Sequence, residues 1–129
     1  MLHGEITQRI IRAFYDVYNT LGYGFLEGVY ENALMLALEA SGMRVDQQVK
    51  IEVFYEGVLV GTYRADLLVE NCVIVELKAS EGLRPEHAAQ LTNYLRATRY
   101  EVGLLLNFGK HPEIQRRYFT NDRKRSGRA

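Results

Sequence analysis

Two short segments of this chain are apolar on every side, with a helix-patterned stretch between them. Residues 72–75 read Cys-Val-Ile-Val, and residues 102–106 read Val-Gly-Leu-Leu-Leu. A strand with no polar face has both faces covered, so each is predicted to be a central strand of a layered sheet. Pro85 suits the first turn of a helix over about 85–97. Two strands joined by such a helix pair in parallel through a right-handed crossover. The resulting fold class is α/β with a mixed sheet. A length of 129 residues gives one such core and no room for a second.

The rest of the order comes from period and punctuation. Ile6, Ile10, Phe14 and Val17 fall on one face of a helix over 5–20, which Gly22 and Gly24 break. Leu26, Tyr30, Leu34 and Leu38 form the buried stripe of a second helix, from about Leu26 to Ala40, with Gly42 just past its end. The period then changes to two. Val45, Gln47, Val49, Ile51, Val53 and Tyr55 alternate with mostly polar residues, and five of these six are apolar. That pattern predicts a strand with one buried face. Glu56-Gly57 is a short turn, Val58–Val69 a second strand, Cys72–Ala79 a third and Tyr100–Phe108 a fourth. The amphipathic piece from Ile114 to Phe119 is an expected edge strand.

Several classes are excluded at once. The one cysteine, Cys72, rules out an internal disulfide and any four-cysteine metal site. No apolar run approaches the ~20 residues of a membrane helix. Glu5, Arg9, Arg12 and Asp16 interrupt the N-terminal segment, so no secretory signal is expected and the cytoplasm is the expected location. The net charge is zero, yet the charges are not evenly spread. Residues 1–109 hold 9 Lys and Arg against 14 Asp and Glu, while residues 110–129 hold 7 against 2. The second block includes Arg116, Arg117, Arg123, Lys124, Arg125 and Arg128. Residues 1–119 are accordingly read as one domain and 120–129 as a flexible basic tail.

The chemistry concentrates between Arg64 and Lys78. Glu76 and Lys78 are two apart on a strand whose other members are apolar, so both project from one face. Charges there are costly unless paired or bound to an ion. A buried Glu–Lys ion pair satisfies that requirement. So does a hard divalent cation held by oxygen ligands, if Asp66 of the preceding strand reaches the same spot. The hairpin decides between them. A two-residue turn at Glu70-Asn71 sets Asp66 opposite Val75, on the wrong face. A three-residue loop, Glu70-Asn71-Cys72, pairs Val69 with Val73 and sets Asp66 opposite Glu76. The three-residue loop is the prediction.

Glu27 and Glu31 stand one helical turn apart with no lysine between them, which costs about 0.2–0.5 kcal/mol. A place in the first turn of a helix, where acids favour the dipole, explains one of them. His87, Gln90 and Tyr94 share one face of the third helix. Arg64 alternates onto the face of Asp66, as a counter-ion or to meet a phosphate.

Asp66, Glu76 and Lys78 together resemble the D-x(n)-E-x-K signature of the PD-(D/E)xK nuclease superfamily. The helix–strand–strand–strand–helix–strand order is similar to its restriction-endonuclease-like αβββαβ core. That implies a mixed four-stranded sheet flanked by helices, here with an extra N-terminal helix. The usual Pro of the signature is Ala65 in this chain. Gly24-Phe-Leu-Glu27-Gly-Val-Tyr30 resembles the G-x-x-E-x-x-Y stretch of a small prokaryotic family in that superfamily. Gln90-Leu-Thr-Asn-Tyr94 resembles the Q-x-x-x-Y motif of its RecB-like and phage-exonuclease-like branch. Residues 103–109, GLLLNFG, also look like the G-x-x-E-x-x-Y family.

The resemblance implies metal-dependent hydrolysis of a phosphodiester, with nucleic acid, chiefly DNA, as the partner. Asp66, Glu76, the Leu77 carbonyl and Glu27 would hold Mg²⁺ or Mn²⁺, with Glu31 in reserve. Lys78 would orient or deprotonate a water, and Gln90 and Tyr94 would orient Lys78 or the phosphate. Arg64 and His87 would contact substrate. A chain this short has little surface outside its core to wrap a duplex, which favours a homodimer or a helper protein. The alternative is a silent module of the same fold that binds nucleic acid or a protein.

Overall fold

The computed structural model describes residues 1–124. Helical periodicity becomes α1 (Gly4–Leu21), α2 (Glu27–Ala40) and α3 (Pro85–Ala97). The strands are β1 (Val45–Tyr55), β2 (Val58–Val69), β3 (Val73–Lys78), β4 (Val102–Asn107) and β5 (Glu113–Tyr118). They form one sheet in the order β1-β2-β3-β4-β5. The first three are antiparallel neighbours, β3 and β4 are parallel across the α3 crossover, and β5 runs antiparallel along β4. The sheet therefore has five strands where a core of four is expected, because the edge piece pairs along the whole of β4.

The two all-apolar strands sit at the centre, and each face of the sheet has its own core. On one side Ile10 and Phe14 of α1 and Tyr30 and Leu34 of α2 pack with Leu67, Val75, Leu77, Leu104 and Leu106. On the other, Leu91, Tyr94 and Leu95 of α3 pack with Ile51, Leu68, Ile74 and Leu105. α3 lies very close to β4. A Cβ on Gly103 would stand 2.6 Å from Leu91 Cδ1.

Two turns fix the course of β2. Glu56 and Gly57 both have positive φ (51° and 77°), as the tight β1–β2 turn requires. Between β2 and β3, Glu70 and Asn71 also have positive φ, and Val69 pairs with Val73. The loop thus holds three residues, the length that sets Asp66 opposite Glu76.

β1 does not have the single buried face that its alternation predicts. Val45 packs with the α1/α2 core, whereas Val49 and Ile51 pack with the α3 core, although all three are odd-numbered. β2 does the same, with Leu67 and Val69 on one side and Ala65 on the other. The cause is local. Gln48 has a left-handed φ of 51° and, with Asp66, drops out of a ladder that pairs on either side of them. Both strands turn over at this point. The β2–β3 ladder stops just short of it, at Leu67–Val75, and the outer hairpin departs from the sheet with Val58, Leu59 and Val60 exposed.

The tail expected from residue 120 is held for its first residues. Asn121–Arg123 form a 3₁₀ turn, Asn121 N donates to Glu101 Oε2 at 2.7 Å, and Lys124 Nζ donates to the carbonyls of Thr98 and Tyr100. Arg116 and Arg117 belong to β5. Arg125 and Arg128 lie outside the described residues. Among the described residues no helix is long and apolar enough to cross a membrane.

Candidate active site

The point where β2 leaves β3 gathers the acidic residues. The Leu77 N–H donates to Asp66 Oδ2 at 2.8 Å, so a side chain serves where the ladder has opened. Glu76, on the neighbouring residue, is 8 % exposed, and its Oε1 is buried with no hydrogen-bond partner. Burial first, and then the adjacent Asp66 carboxylate, push the Glu76 carboxyl up to about 9. Lys78 pulls the other way and does not offset them. Lys78 is half-buried at the end of β3 and forms no ion pair among the described residues.

Of the two helical acids, Glu31 faces this cluster. Glu27 is exposed in the first turn of α2 and makes no polar contact with Asp66 or Glu76 among the described residues. One turn further on, Glu31 Oε1 accepts from Gln48 Nε2 and Oε2 from Gln47 Nε2, both at 2.9 Å. Gln48 Nε2 also reaches Asp66 Oδ1 at 3.3 Å and so bridges the two carboxylates. Burial and the charge of Asp66 raise the Glu31 carboxyl, while the two glutamines lower it. The left-handed backbone of Gln48 aims its amide here, and Arg64 Nη1 holds the Gln48 carbonyl at 3.0 Å. Arg64 thereby has a structural partner.

α3 closes the other side. Tyr94 is 6 % exposed, and burial, then the charge of Glu76, push its phenol up to about 12. Its ring lies 5.7 Å from that of Tyr63. Gln90 is exposed one turn earlier. His87 Nδ1 accepts the Arg84 N–H at 3.1 Å, which ties that imidazole to the start of the helix. Tyr30 does not reach the site. Its hydroxyl donates to the Gly22 carbonyl and accepts the Phe25 N–H, and its ring stacks on Phe108.

Four contributors leave little or no mark in the sequence. Gln48 and Gln47 leave one trace, since Gln47 is the polar exception among the alternating positions of β1. Asn107 stands at the end of an apolar strand. It is fully buried and bonds the backbone N–H and carbonyl of Ser80, fixing the chain just after Lys78. Tyr63 has no sequence signal, because the turning-over of β2 decides its direction.

Residues 4–117 match the family model of the PD-(D/E)XK nuclease superfamily. The chain belongs to that superfamily. Among solved structures, the crystal structure of SSO0001 is similar, with a TM-score of 0.53 and 16 % identity. The match covers 75 % of this chain and 52 % of that one, so this PD-(D/E)XK chain spans about half the length of its structural relative. At that identity the likeness is one of fold alone. No curated protein matches the chain.

A metal is part of what the superfamily implies, and the side chains can be tested for it. Among the described residues, no three His, Cys, Asp or Glu side chains converge as they stand into a metal-binding group. Asp66 and Glu76 do fit a hard cation. They are oxygen donors, the Asp66 charge opposes ionisation of Glu76, and Glu76 keeps one buried oxygen unbonded. Two carboxylates are an ordinary protein share for Mg²⁺, which keeps waters and substrate oxygens in its other positions.

Proposed function

We propose that this chain is a divalent-metal-dependent phosphodiesterase acting on nucleic acid, chiefly DNA. The unpartnered, buried Glu76 oxygen beside Asp66 carries the reading. Asp66 and Glu76, together with the Leu77 carbonyl, would hold Mg²⁺ or Mn²⁺. The third carboxylate is Glu31 rather than Glu27, because Gln48 bridges it to Asp66. When bound there, a divalent cation would supply polarisation of the phosphate and acidification of a water.

The protein's own groups do the rest. The Asp66–Leu77 hydrogen bond orients one carboxylate before any ion arrives. Lys78 faces the attacking water from the end of β3, accepts or steers its proton, and stabilises charge on the phosphoryl oxygens. Water adds to phosphorus, the bond to the leaving sugar oxygen breaks, and that oxygen takes up a proton. Gln90 and Tyr94 line the approach and position Lys78 or the phosphate, with Arg64 and His87 on the substrate side. The motifs of residues 24–30 and 90–94 support placement in the G-x-x-E-x-x-Y family and the RecB-like branch. Residues 1–119 form the catalytic unit of a cytoplasmic protein, with a second copy or a helper protein as partner.

The test is incubation of the full chain with labelled single-stranded, double-stranded and branched DNA and RNA, in Mg²⁺, Mn²⁺ or EDTA. Cleavage is expected with metal, lost in EDTA, and abolished in Asp66→Asn and Lys78→Ala variants whose circular dichroism is unchanged. Absence of cleavage on every substrate overturns the proposal in favour of a silent binding module.

A further inference from the structure

A cleft of about 950 Å³ runs between the outer β1–β2 hairpin and α3. Gln90 and Tyr94 belong to its wall, so the cleft opens directly onto the proposed site. Tyr63 stands beside Tyr94 and is 48 % exposed, and Phe119 lies further along. Arg96 and Arg123 stack on Phe119, 4.6 and 4.4 Å from its centroid. Both arginines are exposed residues, and neither forms an ion pair among the described residues. The cleft's acids are Glu56 and Glu86, and Glu86 pairs with Arg84 at 3.7 Å.

Resting on the nuclease reading, we propose that this cleft carries an unpaired stretch of nucleic acid. Three observations select that occupant. An exposed tyrosine beside Tyr94 suits a base whose own face is free, and bases inside a duplex have none to offer. Two exposed arginines further along the same cleft suit the phosphates of that strand. Glu76 is nearly buried behind Tyr94, so the scissile phosphate must enter a recess, which a single strand does more readily than a stiff duplex. Tyr63 is assigned as the stacking platform, and Arg96 and Arg123 as phosphate contacts.

The test is fluorescence anisotropy on the full chain, with Ca²⁺ in place of Mg²⁺. The probes are a labelled single-stranded DNA 12-mer, its RNA counterpart, and a hairpin duplex of the same sequence. The single strands are expected to bind more tightly than the duplex. A sugar preference between DNA and RNA identifies which strand is taken and supports the proposal either way. Tyr63→Ala should weaken single-strand binding about tenfold or more while Tyr63→Phe retains it. Arg96→Ala and Arg123→Ala should each flatten the salt slope by about 0.7. Duplex binding as tight as single-strand binding, or an unaffected Tyr63→Ala, overturns the proposal. The two readings fail differently. Single-strand cleavage by Tyr63→Ala at the unmodified rate removes this inference and leaves the nuclease. Tyr63-dependent strand binding without any cleavage does the reverse.

Discussion

A carboxyl group that is nearly buried, sits beside a second carboxylate and keeps one oxygen unbonded ionises late. For Glu76 the consequence can be signed. Its folded value, about 9, lies above the ordinary 4.5. Below 4.5 both folded and unfolded chains carry the proton. Between 4.5 and about 9 the unfolded chain has lost it and the folded chain has not, so stability of the metal-free protein falls as pH rises through this window. Thermal unfolding in EDTA should therefore show a falling midpoint from about pH 5 to 9, and Glu76→Gln should flatten that fall. A divalent cation reverses the preference. Its binding at neutral pH should release protons, measurable by calorimetry in two buffers of different ionisation enthalpy. Gln48 is the neutral counterpart of such an ion, since its amide already donates to Glu31 and Asp66. Gln48→Ala removes both bonds from an exposed position and should cost about 1 kcal/mol in chemical denaturation. Glycine at the same position should cost less, because it adopts the left-handed φ freely.

At the level of elements, position matters more than composition. β1 and β2 both turn over at Gln48 and Asp66, which brings a carboxylate to the mouth of the site and swings the outer hairpin away from β3. The three-residue loop then sets the register, because a slip of one residue would send Asp66 to the opposite face. α3 holds Gln90 and Tyr94 at the right height only because Gly103 lets Leu91 approach β4. A methyl group there would press on Leu91, which is itself fully buried. Gly103→Ala should cost about 1–3 kcal/mol in denaturant unfolding. It should also reduce cleavage at temperatures where the variant is still folded, as α3 is displaced. Element type and order were readable from period and punctuation, and the loop length followed from the demand that Asp66 share a face with Glu76. The turning-over of β1 was not, since a positive φ at a glutamine leaves no mark in an alternation of apolar and polar residues.

The whole molecule combines an acidic body with a basic end. The excess of acids in residues 1–109 includes Glu31 and Asp66, which repel phosphate until a cation neutralises them, and Glu76, which gives up its proton when that cation binds. Affinity for an oligonucleotide should therefore be higher in Ca²⁺ than in EDTA at matched ionic strength, and anisotropy titrations check it. Equal affinity would mean that these carboxylates do not face the nucleic acid. The sequence by itself determined the layered α/β class, the order of elements and the strand positions of Asp66, Glu76 and Lys78. Those come from short-range periodicity and steric rules that act along the chain. Only the tertiary structure decided that Glu31 rather than Glu27 meets Asp66, that Gln48 bridges them, and that Asn107 pins the turn after Lys78. It alone set Tyr63 beside Tyr94 at the head of a cleft. These are contacts between residues 16 to 31 apart, governed by how α2, the turned-over hairpin and α3 pack on the sheet. Local pattern carries no record of such distances.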